Sequence, residues 1–112
     1  GREAAEEWLR LTERPTAVFC SCDEAAFGFI AALRRKEIRV PEDVSVVGFD
    51  DIPLADHYCP ALTTVRQPHR ELGTTAVRML LERIRDVEAS IPNQLLEGKL
   101  IVRDSTGHPP IT

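Results

Sequence analysis

Apolar residues recur at helical spacing in three segments of the chain. Residues 2–14 carry an apolar stripe that includes Trp8, with charged residues on the opposite side. Residues 69–86 repeat small or apolar residues at i, i+4 spacing. Residues 24–36 are apolar on every side over their first two-thirds. These patterns predict three helices, the first of them ended by Pro15.

Short apolar runs without helical spacing lie between these segments and predict strands. In the clearest run, 44–49, Val47 and Phe49 suit a strand that is buried on both faces, as in a parallel sheet. Further strands are predicted over 16–20, 62–66 and, as a final strand or hairpin arm, 94–103, with one or two loose helical turns over 52–58. Strands that alternate with helices in this order predict an α/β fold with βαβ units and a largely parallel sheet.

The helix predicted over residues 24–36 needs cover on more than one side. One face can pack on the sheet, but a helix that is apolar all round is buried all round. A contact with a second subunit would supply the remaining cover. Another part of the same parent chain would also supply it, so both explanations stay open.

Polar residues follow three of the predicted strands, where open α/β sheets bind their ligands. These groups are Ser21-Cys22-Asp23, Asp50-Asp51 and Arg66-Gln67. In a parallel sheet the three strand ends should converge. A carboxylate that accepts from two hydroxyls, beside an amide that donates and accepts, suits a sugar or nucleoside-like ligand.

The individual residues of these groups carry different expectations. Asp50 is predicted as the main ligand contact, the alternative being a carboxylate that caps a turn. Asp51 is expected to cap the short helix that follows it, and Asp23 could cap the helix after the first strand. Gln67 either contacts the ligand or anchors its loop.

Composition narrows the classes of protein that fit. The chain has 112 residues, 43% apolar and 29% charged, which fits at most one soluble globular domain. Fourteen basic and eighteen acidic residues give a net charge of −4, which disfavours direct contact with nucleic acid. No apolar stretch is long enough to cross a membrane, and we expect no signal peptide. The three cysteines lack framework spacing, which indicates a reducing compartment.

Motifs for catalysis and for metal binding are missing from the sequence. It contains no nucleophile elbow, dinucleotide-binding glycine motif or phosphate-binding loop, and its three histidines are scattered. The Asp50-Asp51 pair resembles the Mg²⁺ site of phosphoacceptor domains, but residues 65–68 supply neither the later Asp nor the Lys of such domains. We therefore expect no catalytic residue, no metal and no cofactor.

Four segments strongly resemble the effector-binding domain of the lactose/galactose-repressor (LacI-type) transcription regulators. These segments are Thr16–Ser21, Arg39–Asp51, Pro60–Pro68 and, as a C-terminal signature, Leu100–Thr106. The resemblance is collinear over nearly the whole chain. It implies a partial domain of the periplasmic-binding-protein-like (type I) fold, in which two α/β subdomains enclose a ligand.

The same resemblance implies a division of the chain. Residues 1–62 would belong mainly to the C-terminal subdomain, and the helix at 69–86 to the N-terminal subdomain. Residues 63–67 and 92–95 would be crossovers between the two subdomains.

Ligand contacts carry over from the family to Asp50 and Gln67. A third family contact is an Asn side-chain amide at the position of Cys22. A thiol cannot supply the hydrogen bonds of an amide. Either the effector is less polar at that point, or the contact is absent.

The resemblance also implies a homodimer, because the family dimerises through this subdomain. The matching positions include Phe27, Leu54 and Tyr58. They agree with the second surface that the apolar helix requires.

By the resemblance, the chain is roughly the last third of a cytoplasmic regulator, and its helix-turn-helix head and hinge lie elsewhere. We expect DNA contact only through that head, and a sugar-like small-molecule effector for the domain. The alternative is a sugar-binding receptor of a transport system with the same fold. The free cysteines and the Val102–Thr106 ending argue against that alternative.

Overall fold

The computed structural model describes residues 1–111, in which helices and strands follow one another in the predicted order. The elements are α1 (Arg2–Arg10), β1 (Ala17–Phe19), α2 (Asp23–Arg34), β2 (Ser45–Val47), α3 (Leu54–His57), β3 (Thr64–Arg66), α4 (His69–Arg85) and β4 (Lys99–Ile101). Within this described part of the chain, no helix has the length and apolarity needed to span a membrane.

The strands confirm an α/β fold with parallel pairing, although the pairing is mixed. β1 and β2 are parallel, with Val18 opposite Val46. The last residue of β2 and the chain after it then meet the β3 segment through parallel bridges, Val47 to Thr63 and Asp50 to Arg66. β4 pairs with β3 in the antiparallel direction. The final segment is therefore a strand, the first of its two predicted forms, and not a hairpin arm, because α4 lies between β3 and β4 in the sequence.

The predicted elements are longer than those observed. α1 ends at Arg10 rather than near Pro15, because Leu11 is already extended and its N–H bonds back to Trp8. After α2, Glu37 takes a φ of 58°, a left-handed conformation that a continuing helix does not allow. Each strand has three residues, fewer than the sequence predicted.

Helix α2 is covered mainly by the chain itself. Phe29, Ile30 and Leu33 are buried, and α1 packs along the helix. The ring of Trp8 meets that of Phe29 edge-on at 6.4 Å between centroids, and its indole N–H donates to the carbonyl of Pro15. The chain itself therefore supplies part of the cover that the sequence left open, and cover by a second subunit stays a prediction.

The chain divides into two compact units. One contains Gly1–Arg66 and the segment from Lys99 onward, and the other is Gln67–Gly98. In the second unit, α4 buries Thr75 and forms a groove of about 280 Å³ with Asn93 and its neighbours. Farther along the predicted stripe of α4, Leu80 and Ile84 are exposed.

Candidate functional site

The carboxyl ends of β1, β2 and the β3 segment lie side by side in the first unit, as expected. The N–H of Asp23, which follows β1, donates to the carbonyl of Phe49 at 2.9 Å. The N–H of Asp50 in turn donates to the carbonyl of Val65 at 2.9 Å. Backbone hydrogen bonds thus connect the three strand ends directly.

Asp50 and Asp51 both have backbone conformations that are unusual for residues with a side chain. Their φ angles are 119° and 57°. Such conformations cost roughly 1–3 kcal/mol each and persist only where the surroundings hold them. Asp50 is partly buried, and its backbone bridge to Arg66 is one of the contacts that hold it.

Asp51 does not cap the following helix, so that prediction is wrong. α3 has Pro53 at its N-cap and no side-chain hydrogen bond to the cap. The Asp51 carboxylate, only 7% exposed, accepts from Arg103 Nη1 at 2.8 Å and from Arg66 Nε at 2.6 Å. Both of its oxygens are therefore engaged by guanidinium groups, which argues against the Mg²⁺ hypothesis for the acid pair.

Electrostatics keep the Asp51 carboxylate charged. Burial alone raises the pKa of Asp51, but the hydrogen bonds and charges of Arg103 and Arg66 together outweigh that effect. The pKa of Asp51 consequently lies below its ordinary value of 3.8.

Arg103 is held in place by several contacts, and sequence reasoning did not single it out. Its Nη1 also donates to the carbonyl of Leu62 at 3.0 Å, and its Nε lies 3.3 Å from Asp56. Its backbone N–H donates to Thr63 Oγ1 at 2.9 Å. Arg103 lies in the C-terminal signature of the family, and this was the only available signal.

Asp23 also has a different role from the predicted one. It is the first residue of α2, and no side-chain hydrogen bond caps that helix. Its fully buried carboxylate accepts from Thr64 Oγ1 at 2.5 Å and from the Ile52 N–H at 2.8 Å. Asp23 therefore ties the end of β1 to β3 and to the chain beyond β2.

Gly48 is required by this arrangement. A Cβ at position 48 would lie 2.3 Å from Asp23 Oδ1 and 2.8 Å from a methyl carbon of Leu62. No side chain fits at those distances. The absence of a Cβ lets the β2 segment approach Asp23 closely.

The C-terminal signature is tied to β2 and β3 by hydroxyl groups. Ser105 Oγ is fully buried, donates to the carbonyl of Val46 at 2.6 Å and accepts from the Thr63 N–H at 2.8 Å. The Val46 N–H donates to the Ser105 carbonyl at 2.8 Å. These bonds bring residue 103 to the strand ends.

The cysteines are free thiols in three different environments. Cys22 is the N-cap residue of α2 and is partly exposed, while Cys59 is exposed. Burial is the main cause that raises the pKa of Cys20. Within residues 1–111, no three His, Cys, Asp or Glu side chains are grouped so that they could hold a metal.

Gln67, the remaining predicted ligand contact, is the first residue of the second unit. It is partly buried, and its carbonyl accepts from the His69 N–H at the start of α4. A ligand-binding role for Cys22, Asp50 and Gln67 stays a prediction.

The residues predicted at the dimer interface differ in exposure. Phe27 is only 9% exposed because the ring of Tyr58 stacks beside it at 4.5 Å, and the Tyr58 hydroxyl donates to the Phe27 carbonyl. Tyr58 therefore covers much of Phe27, and the place of Phe27 and Tyr58 at a dimer interface stays a prediction. Leu54 is 50% exposed, and its contact with a partner stays a prediction.

A cavity of about 550 Å³ is formed by the end of α2, the chain that precedes β2 and residues 59–60. Ile30, Ile38 and Val40 contribute apolar surface to it. Of the two arginines at the cavity, Arg34 donates to the carbonyl of Cys59, which also lines it, and Arg39 pairs with Asp43.

Comparisons with known proteins all indicate the same family. The sequence profile of the periplasmic binding protein-like domain matches residues 1–106. The transcriptional repressor PurR of Vibrio cholerae is 51% identical over 102 residues, which are 91% of this chain and 30% of the relative. CytR of Escherichia coli is 39% identical over 106 residues, which are 95% of this chain and 31% of that repressor. The chain thus spans about a third of the curated relatives it matches.

Solved structures agree with this result. A LacI family regulator from Enterococcus faecium with bound ribose has a TM-score of 0.81 and 34% identity, over 99% of this chain and 40% of the other. The dimeric Lac repressor has a TM-score of 0.82 and 36% identity, over 96% of this chain and 39% of the other. The chain therefore belongs to the periplasmic-binding-protein-like domain family, in the LacI-type branch that its motifs predict.

Proposed function

We propose that this chain is the effector-sensing and dimerisation part of a LacI-type transcription regulator. The observation that carries the proposal is the junction of the three strand ends around Asp50, within a chain whose relatives are transcription repressors. The chain acts by binding and not by catalysis. A separate head of the full-length protein contacts DNA. We place the full-length protein in the cytoplasm.

In this proposal Asp50, Cys22 and Gln67 contact the effector. An aspartate carboxylate accepts hydrogen bonds from neighbouring hydroxyls, the groups that a sugar presents. The thiol of Cys22 suits a less polar part of the ligand. Structures of two Enterococcus LacI family regulators hold ribose, which supports a sugar or a nucleoside-like effector here.

The domain boundaries are part of the proposal. Residues 1–62 lie mainly in the C-terminal subdomain, residues 63–67 and 92–95 are crossovers, and the helix at 69–86 belongs to the N-terminal subdomain. An effector that prefers one arrangement of the subdomains shifts the population of the protein toward it. Its differential affinity for the two states sets how far operator binding changes.

The test of the ligand site compares Asp50→Asn with Asp104→Asn in the full-length protein. Both changes remove one carboxylate, but Asp104 is exposed on the same unit. Ribose, adenosine and cytidine are titrated by calorimetry, and operator release is followed in parallel. Asp50→Asn should weaken binding of the active compound by roughly tenfold or more, the value of a hydrogen bond to a charged group.

Basal operator binding should stay unchanged in both variants, and Asp104→Asn should respond like the wild type. An Asp50→Asn protein with the wild-type dose response would remove Asp50 from the site. Failure of every compound to bind the wild type would remove the proposed effector class.

We further propose that the protein is a homodimer in which Leu54, Tyr58 and the covered Phe27 face the partner. Leu54→Glu should shift the protein toward monomer in sedimentation experiments, because it would place a charge in an apolar contact. Leu11→Glu is the matched control, since Leu11 is 46% exposed on the same unit. A Leu54→Glu protein that stays dimeric at the concentrations at which the wild type is dimeric would contradict this interface.

A further inference from the structure

The backbone at Asp50 and Asp51 is held from outside its own loop. Both residues have φ angles in the left-handed region, at 119° and 57°. The Asp50 N–H donates to the Val65 carbonyl, and the Ile52 N–H donates to the Asp23 carboxylate. The Asp51 side chain adds a further contact that holds the turn, because it reaches two arginines.

The two arginines are not equivalent. The Arg66 side chain is 53% exposed and forms an ion pair with Asp51. The Arg103 side chain is 12% exposed and also bonds the Leu62 carbonyl, while its backbone N–H bonds Thr63. A guanidinium fixed at several points can hold a carboxylate in one place, whereas an exposed one loses more side-chain freedom for the same bond.

We propose that Arg103 is a positioning residue for the effector site. It holds Asp51 and thereby fixes the backbone of the adjacent Asp50, the residue proposed to bind the effector. The inference rests on the proposed function for the role of Asp50. It adds that effector affinity depends on a residue in the C-terminal signature, 52 positions from Asp51 in the sequence.

The first measurement needs no ligand. Hydrogen exchange is followed at the Asp50 amide in full-length Arg103→Met, in Arg103→Lys and in the matched control Arg39→Met. The control also removes an arginine that pairs with an aspartate, Asp43, in the same unit. Arg103→Met should speed exchange at the Asp50 amide by at least about tenfold. In the wild type the local opening that exposes this amide must break the Asp51 contacts, and in the variant it does not.

Exchange at the Cys20 amide, which bonds the Val47 carbonyl between β1 and β2, should stay at the wild-type rate in all three proteins. This amide separates local loosening from general destabilisation. Arg39→Met should leave Asp50 unchanged, and Arg103→Lys should give an intermediate rate. Wild-type exchange at Asp50 in folded Arg103→Met would overturn the inference, whatever the protein binds.

The second measurement is the affinity for ribose. Arg103→Met should weaken it by roughly tenfold, with partial rescue in Arg103→Lys, because the bound geometry is no longer organised in advance. If Asp50→Asn loses affinity while Arg103→Met keeps it, the positioning role is overturned and the proposed function stands. If the wild type does not bind ribose but exchange at Asp50 rises, the positioning role is supported and ribose is removed as effector.

Asp51→Asn covers the case in which Arg103→Met fails to fold. It keeps the side-chain size and removes the charge that Arg103 binds, so the same rise in exchange is expected at Asp50. An Asp51→Asn protein with unchanged exchange at Asp50 would overturn the inference.

Discussion

Asp23 and Thr64 share a 2.5 Å hydrogen bond between fully buried side chains that are 41 positions apart in the sequence. The second carboxylate oxygen accepts from the Ile52 N–H, so Asp23 links three segments of the first unit. Burial of a charged group is tolerable only when such bonds satisfy it. The pair therefore holds the strand ends together from inside the unit.

Asp23→Asn should lower the free energy of unfolding by about 2–3 kcal/mol. The Asn side chain keeps one oxygen acceptor, but its NH2 group would face either the Thr64 hydroxyl or the Ile52 N–H, both of which donate to Asp23. Urea denaturation of the full-length protein measures the change. Glu24→Gln is the control, since Glu24 is the exposed neighbour of Asp23, and it should stay within about 0.5 kcal/mol of the wild type. A stable Asp23→Asn protein would show that the pair contributes little.

Gly48→Ala and Gly73→Ala should have effects of opposite sign. The added Cβ at position 48 would lie 2.3 Å from Asp23 Oδ1, so overpacking should cost about 1–3 kcal/mol. At position 73, inside α4, nothing lies within 4 Å of an added Cβ. Alanine there should stabilise the protein by up to about 1 kcal/mol through helix propensity. Thermal denaturation gives both signs, and a neutral Gly48→Ala would contradict the close packing.

Ser105→Ala should destabilise the protein by about 1–3 kcal/mol, because it leaves the buried N–H of Thr63 without its acceptor. The same substitution at exposed Ser21 is the control and should change the free energy of unfolding by less than about 0.5 kcal/mol. Equal effects in the two variants would mean that the Ser105 hydroxyl is not a structural link.

Asp51 should contribute to the acid dependence of stability. Its pKa is lower in the folded protein than its ordinary value of 3.8, so the unfolded chain binds the proton more readily. The stabilisation from Asp51 is therefore complete above the ordinary value and is lost as the pH falls through the folded pKa.

Asp51→Asn lacks this contribution. Its free energy of unfolding should lie below that of the wild type at pH 7, and the two should converge as the pH falls below about 3.8. Asp104→Asn, which removes an exposed carboxylate, should follow the wild type throughout. A constant difference between wild type and Asp51→Asn from pH 7 to pH 2 would contradict the lowered pKa.

Local patterns were sufficient to predict the order of the elements and the meeting of three strand ends. Residues 44–49 indicated a buried parallel strand because hydrophobic periodicity is a property of neighbours in sequence. Element ends were less predictable, because Leu11 and Glu37 end helices through backbone geometry that no local pattern specified.

The roles of Asp23 and Asp51 depend on tertiary contacts instead. Both residues precede or begin helices, where capping is the usual local function of an aspartate. Their partners, Thr64 and Arg103, lie 41 and 52 positions away, beyond any local signal. The cover of α2 was undecided for the same reason, since the apolar pattern records that a face is buried but not by which segment.

The bonds between Val46 and Ser105 also have a consequence for biosynthesis. Val46 leaves the ribosome long before Ser105, and the whole of α4 is made between them. The nascent first unit must therefore wait, with the N–H and carbonyl of its central strand unpaired, until the last segment emerges. Closure of long loops is slow compared with local folding. β2 is therefore translated before α4 but is completed only after it, and its unpaired backbone groups are open to aggregation during that interval.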